Sequence, residues 1–207
     1  RRFGLKHMVV DRLLGRSGVR VLGQGLLSGR IPETECLRRI RDGRRRYHER
    51  IPESLVIESY YSWWVFASRI DRLWPGAKMV GVIRDPRIWI ESWMHHNPGR
   101  RKNGHWQINP QALLTPENLQ QHDLYKRWSK IGQIGRLAWD WQNVYGELAR
   151  AEDSSRNVKI FKFEEIFEKE PLKLSELICF AATHANRQYA VLDAPSPSAK
   201  PINASSS

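Results

Sequence analysis

Cysteine is scarce in this chain of 207 residues: there are two, Cys36 and Cys179, and no C-x-x-C spacing. That excludes a disulfide framework and a cysteine-built zinc site, and makes a reducing, cytoplasmic location the default expectation. Long apolar runs are missing as well. None approaches the roughly twenty residues that a membrane-spanning helix requires. No signal segment is visible, and the chain opens on Arg1, so a fragment boundary is expected there. Repeats and low-complexity tracts are absent until the Pro- and Ser-containing stretch 194–207, which reads as loop. Acidic residues are in short supply, 22 against 34 Lys and Arg, for a formal charge of +12. Aromatics are plentiful, with nine Trp, six Tyr and six Phe. A chain so supplied can fill the core of one globular domain, taken as residues 1–207.

The positive charge is concentrated. Residues 1–50 hold 14 Lys and Arg against 5 Asp and Glu, with Arg38, Arg39, Arg41, Arg44, Arg45, Arg46 and Arg50 in one run. Arginine's fixed fork of donors suits phosphate and sulfate. A polyanionic partner and a solvated helix face both remain open, and charge alone selects no substrate.

Along the chain, 31–47 reads as a helix with Glu33 and Glu35 in its first turn, 55–57 as a short buried strand, and 63–73 as a helix ending at Pro75-Gly76. A second buried strand is expected at 79–83. Asp85 then caps a helix that Pro86 opens, running to about His96. Residues 97–116 read as a long loop. Apolar residues from Leu124 to Leu148 recur every three or four positions, the pattern of one long amphipathic helix. A third strand is expected at 158–163 and a closing helix at 172–181. Uniformly apolar strands alternating with helices predict an α/β fold: a parallel sheet covered on both faces.

In such sheets ligands bind beyond the carboxyl ends of the strands. Arg84 ends the 79–83 strand where a helix begins, so Arg84-Asp85-Pro86-Arg87 forms a candidate phosphate site, with Ser92 two turns into the helix. The alternative is structural ion pairing of Arg84 with Asp85 or Glu91.

The stretch from Leu73 to Ser92, LWPGAKMVGVIRDPRIWIES, resembles the most recognisable segment of the sulfotransferase family, a turn into a strand, then R-D-P-R, then Ser eight residues after the Arg. Ile57-Glu58-Ser59, the segment 162–167 and Asn203-Ala204-Ser205 are similar to further family elements. The resemblance covers residues 55–207. It implies a parallel-sheet fold like that of P-loop nucleotide triphosphatases, and transfer of a sulfuryl group from 3′-phosphoadenosine 5′-phosphosulfate (PAPS) to a hydroxyl or amine on a small molecule or glycan. It also implies that Arg84 and Ser92 hold the 3′-phosphate, with Arg87 beside them.

The family's phosphosulfate loop, of the kind R/K-S-G-T-T, has its nearest counterpart in Gly15-Arg16-Ser17-Gly18, followed by Val19-Arg20 and by Gly23 and Gly25, which are poor in a helix. The true loop is therefore expected upstream, with no phosphate cradle in 9–22 and little turnover by these residues alone. The chain also stops short of the tryptophan segment that follows Asn-Ala-Ser in the family, so truncation is expected at both ends. His95 and Glu58 are the candidate bases for an acceptor hydroxyl; Glu58 can instead orient Arg84 or Arg87. His7, His48, His105, His122 and His184 form no metal-ligand spacing, and no metal is expected. Two rivals stand: a P-loop kinase, whose G-x-x-x-x-G-K-[ST] is absent, and a basic module binding nucleic acid or another polyanion, supported by the arginine run alone. Nucleic acid is the less expected partner.

Overall fold

A computed structural model describes residues 18–49, 57–95, 101–102, 105–106, 114–169 and 171–182. At its centre two parallel strands, β1 (Met79–Ile83) and β4 (Val158–Lys162), pair in register from Met79 opposite Val158 to Ile83 opposite Lys162. Pro75 and Gly76 turn the chain into β1, and Gly76 takes φ +85°, a conformation that a Cβ would strain. Two residues each of β2 (Arg101–Lys102) and β3 (His105–Trp106) form a separate antiparallel pair within the segment expected to be loop.

Paired residues of parallel strands point to the same face. Gly81 and Ile160 therefore share one face, and a Cβ at position 81 would lie 3.3 Å from Leu148 of the helix α6 (Gln133–Ser154). On the opposite face Lys159 pairs with Glu176 and lies 6.0 Å from the Phe180 ring, both on α7 (Pro171–Ala182). One helix on each side of a parallel pair is the coarse α/β arrangement that the apolar strands predict, although helix dominates the described chain.

The core fills the α6 side. Val19 and Leu22 of α1 (Val19–Leu27), Cys36 and Ile40 of α2 (Glu33–His48) and Val144 and Leu148 of α6 belong to one buried cluster with Phe66, which is fully buried. Gly23 lets α1 approach this closely, since an added Cβ there would sit 3.3 Å from Val65 and 3.5 Å from Phe66; one at Gly25 would sit 2.4 Å from Ile31 Cδ1, in the connection to α2. The helix propensity that Gly23 and Gly25 forfeit is offset by contact, and Val19–Leu27 is helical; most of the segment 9–22 in which no phosphate cradle is expected lies outside the described residues.

Two other expectations change. Residues 63–73 form a 3-10 helix, Tyr61–Arg69, followed by one α-turn, α3 (Ile70–Leu73). The long amphipathic helix is broken: α5 (His122–Arg127) and a 3-10 turn, Trp128–Lys130, precede α6. At the break Ile131 and Gly132 are extended, and the Arg136 guanidinium donates to the carbonyls of Trp128, Ser129 and Ile131. One side chain thus satisfies the carbonyls that an interrupted helix leaves open. Of the strand expected at 55–57, only Ile57 lies among the described residues, and it is not in a strand; 55–56 fall outside them, as do 1–17, His96, His184 and Asn203-Ala204-Ser205.

Candidate functional site

The register of β1 and β4 builds the site. Ile83 is opposite Lys162, so the next residues, Arg84 and Phe163, leave the sheet side by side, and the Arg84 guanidinium lies 4.8 Å from the Phe163 ring centroid. Two hydrogen bonds pin the corner from outside β1. The Trp141 indole N–H, from α6, donates to the Arg84 carbonyl at 3.1 Å, and the Asp85 N–H donates to Glu164 Oε1 at 3.0 Å. Glu164 stands just before a π-helical turn, Glu165–Lys169, the kind of irregular turn that accompanies functional sites.

From this corner α4 (Pro86–His95) starts at once. Asp85 is its N-cap: Oδ1 accepts the Arg87 N–H at 2.8 Å, and the carboxylate also takes the Arg87 side chain, Nε at 3.1 Å and Nη2 at 2.9 Å. These contacts, the side chain first, hold the Asp85 carboxyl down at about 2. Its own cap therefore consumes the first amides of α4, and they are not free for a ligand. Arg87 is likewise committed to Asp85, with its side chain 89% exposed.

Arg84 differs. Its Nε is buried and has no hydrogen-bond acceptor, and among the described residues it forms no ion pair. Neither Asp85 nor Glu91 takes the structural pairing that the sequence allowed. Buried polar atoms are nearly always satisfied, and an exception calls for a reason such as an absent ligand. Ser92, half-buried, lies seven residues from the cap, on the same side of the helix as Asp85 and about 9 Å along α4 from Pro86.

The two candidate bases separate. Glu58 is paired with the buried Arg44 at 3.6 Å, and that guanidinium lies 5.3 Å from the Trp63 ring, so Glu58 serves α2. His95, the last residue of α4, is exposed; its Nδ1–H donates to the Glu91 carbonyl at 2.8 Å, so Nε2 is the ring nitrogen not used in that contact. Among the described residues, no group of three or more His, Cys, Asp and Glu is placed to hold a metal ion.

Part of the arginine run is paired with carboxylates. Arg38 pairs with Glu35 and Asp42, Arg39 with Glu35 and Arg45 with Glu49, and Arg44 is buried. The Arg38 and Arg39 side chains hold the Glu35 carboxyl down at about 2. Phe163, Trp141 and Glu164 are the site residues that sequence reasoning did not assign. Trp141 reads as core at helical spacing, and only the strand register reveals that Phe163 meets Arg84.

A scan of family models and searches of curated proteins and of solved structures found no match to the chain.

Proposed function

We propose that the chain is a PAPS-dependent sulfotransferase domain in which Arg84 and Ser92 hold the 3′-phosphate of the nucleotide. One observation carries this reading: a guanidinium at the carboxyl end of a parallel strand, seated on an aromatic ring, with a buried Nε that lacks an acceptor. A phosphate oxygen is the complement of that donor, and an Arg–phosphate contact is charge-assisted and can be bidentate. Ser92 adds a neutral hydroxyl from α4. Arg87 acts indirectly, through the Asp85 cap that starts the helix.

The donor supplies the sulfuryl group. The acceptor oxygen or nitrogen bonds to sulfur as the bond from sulfur to the bridging phosphate oxygen breaks, giving a sulfated acceptor and adenosine 3′,5′-bisphosphate. His95 is the residue proposed to take the acceptor's proton, on Nε2. Positioning and cationic stabilisation of the departing phosphate account for most of the rate in this reading. The acceptor is a small molecule or a glycan. No helix of the described residues is long and apolar enough to cross a membrane.

The pairing of Arg38 and Arg39 with Glu35 weighs against the polyanion-binding reading, since a phosphate backbone would compete with a carboxylate already in place. Calorimetric titration with adenosine 3′,5′-bisphosphate and with 5′-AMP tests the proposal. Tighter binding of the bisphosphate by tenfold or more is expected; equal affinities remove the 3′-phosphate site.

A further inference from the structure

A shallow cleft, open to solvent, lies between α1 and the 3-10 helix Tyr61–Arg69, lined by Arg20, Gln24, Tyr61, Ser62, Trp64 and Leu114 among others. Arg84 is not in its wall. Behind the cleft, on α6, stands Asp140, whose 1% exposure makes it one of the most deeply buried polar residues described. Its Oδ2 accepts the Tyr61 hydroxyl at 2.7 Å, while its buried Oδ1 has no hydrogen bond of good geometry. The Leu114 backbone N–H lies near enough to favour the ionised form, but no cation pairs with this carboxyl among the described residues. Tyr61 and Leu114 therefore do two things: they wall the cleft, and they are what Asp140 holds.

We propose that Asp140, Tyr61 and Leu114 form a proton-operated latch on this cleft. When Asp140 is protonated, a neutral carboxyl is buried at modest cost and the seam between α6 and the 3-10 helix is closed. When it is ionised, a charge sits in the seam with one bare oxygen. The cost is relieved when Tyr61 and Leu114 draw back and admit water to Oδ1. The cleft then widens.

The groups facing this seam set the direction. Tyr61 comes from the 3-10 helix and Tyr145 from α6 itself; Glu164 acts on Tyr145, and Arg20 of α1 lines the cleft beyond Tyr61. Burial pushes the Asp140 carboxyl up to about 6 from its ordinary 3.8, against the smaller lowering by Tyr61 and Leu114. Burial and the Asp140 charge raise the Tyr145 hydroxyl to about 12, so it stays neutral throughout. Because the closed form holds its proton more tightly than the open one, opening becomes easier as pH rises from about 4 to about 6, by roughly a hundredfold, and remains easier above that. The latch stands independently of the sulfuryl-transfer reading.

The test uses the whole chain. Carbon NMR of labelled aspartate carboxyls follows Asp140 against pH, and hydrogen exchange of the Leu114 amide, corrected for its intrinsic rate, follows opening. The expected result is an Asp140 midpoint near 6 and a fall of tenfold or more in Leu114 protection between pH 4 and pH 7. In Asp140→Asn the protection should stay high and flat with pH; in Tyr61→Phe, which removes a donor to the carboxylate, the midpoint should rise. An Asp140 midpoint at or below 4 in the unmodified chain overturns the latch, whether or not the variants fold. So does the same pH dependence of protection in Asp140→Asn.

Discussion

At Arg84 the backbone and the side chain have opposite fortunes. The carbonyl accepts the Trp141 indole, whereas Nε is buried with no acceptor. Relieving an unsatisfied buried donor is worth about 1–3 kcal/mol. The contact with Phe163 that would be lost is worth about 0.5–1 kcal/mol. Arg84→Met should therefore leave stability in the absence of nucleotide unchanged or raise it, by about 0–2.5 kcal/mol in urea denaturation, while removing bisphosphate binding. A clear loss of stability would mean that Arg84 is structural. Trp141→Phe leaves the Arg84 carbonyl without its donor and trims a half-buried ring, at a cost of about 1–3 kcal/mol. Because the guanidinium itself is untouched, bisphosphate affinity should fall less than tenfold by titration.

Among the elements, α1 and α6 make opposite use of glycine. Gly25 is where α1 meets Ile31, and an added Cβ would stand 2.4 Å from Cδ1 and 2.7 Å from Cγ1. Gly25→Ala should destabilise by about 1–3 kcal/mol, since overpacking outweighs a propensity gain of about 1 kcal/mol. Gly146, inside α6, has nothing within 4 Å of its would-be Cβ. Gly146→Ala should stabilise by about 0.5–1 kcal/mol. Thermal melts of the pair check both signs. These elements also mark how far the sequence can be read. Met79–Ile83 is legible as a strand from its short apolar run, although only Gly81 is buried and Val82 is exposed, so the burial expected on both faces is not met; Asp85-Pro86 is legible because a cap followed by proline starts a helix. The 3-10 character of Tyr61–Arg69 is not legible, since apolar residues three or four apart serve either helix. The break at Ile131-Gly132 hides for a related reason: the apolar stripe runs on across it while Arg136 quietly caps the gap. At the site, Arg84 and Ser92 are readable from their place after a strand. The seat of Arg84 on Phe163 depends on a pairing some eighty residues away in sequence, which no local pattern contains.

Across the whole molecule, carboxyls shifted in opposite directions set the response to pH. Asp85 and Glu35 are held at about 2, below their ordinary 3.8 and 4.5, so the stability they contribute is present above those ordinary values and lost as pH falls toward 2. Asp140 is raised to about 6, so its contribution is present below 3.8 and lost as pH rises through 6. Stability should therefore peak near pH 4–5, below the neutral range in which most domains are most stable. Denaturation midpoints across pH should show that peak, and Asp140→Asn should flatten the side above it. A maximum at pH 7 or higher would contradict the assignment of Asp140 as a buried, poorly satisfied acid.

The proposed function depends most on Arg84 as a phosphate ligand, and one titration addresses it directly. Calorimetry with adenosine 3′,5′-bisphosphate should give an affinity about one to two decades weaker in Arg84→Ala than in the unmodified chain, the loss of a charge-assisted contact of about 1.5–3 kcal/mol. Ser92→Ala should lose less than one decade, and Arg84→Lys should recover part of the loss, since it offers a point charge where arginine offers a fork. Unchanged affinity in Arg84→Ala, in a protein whose melting curve shows it folded, would contradict the site and the function proposed from it.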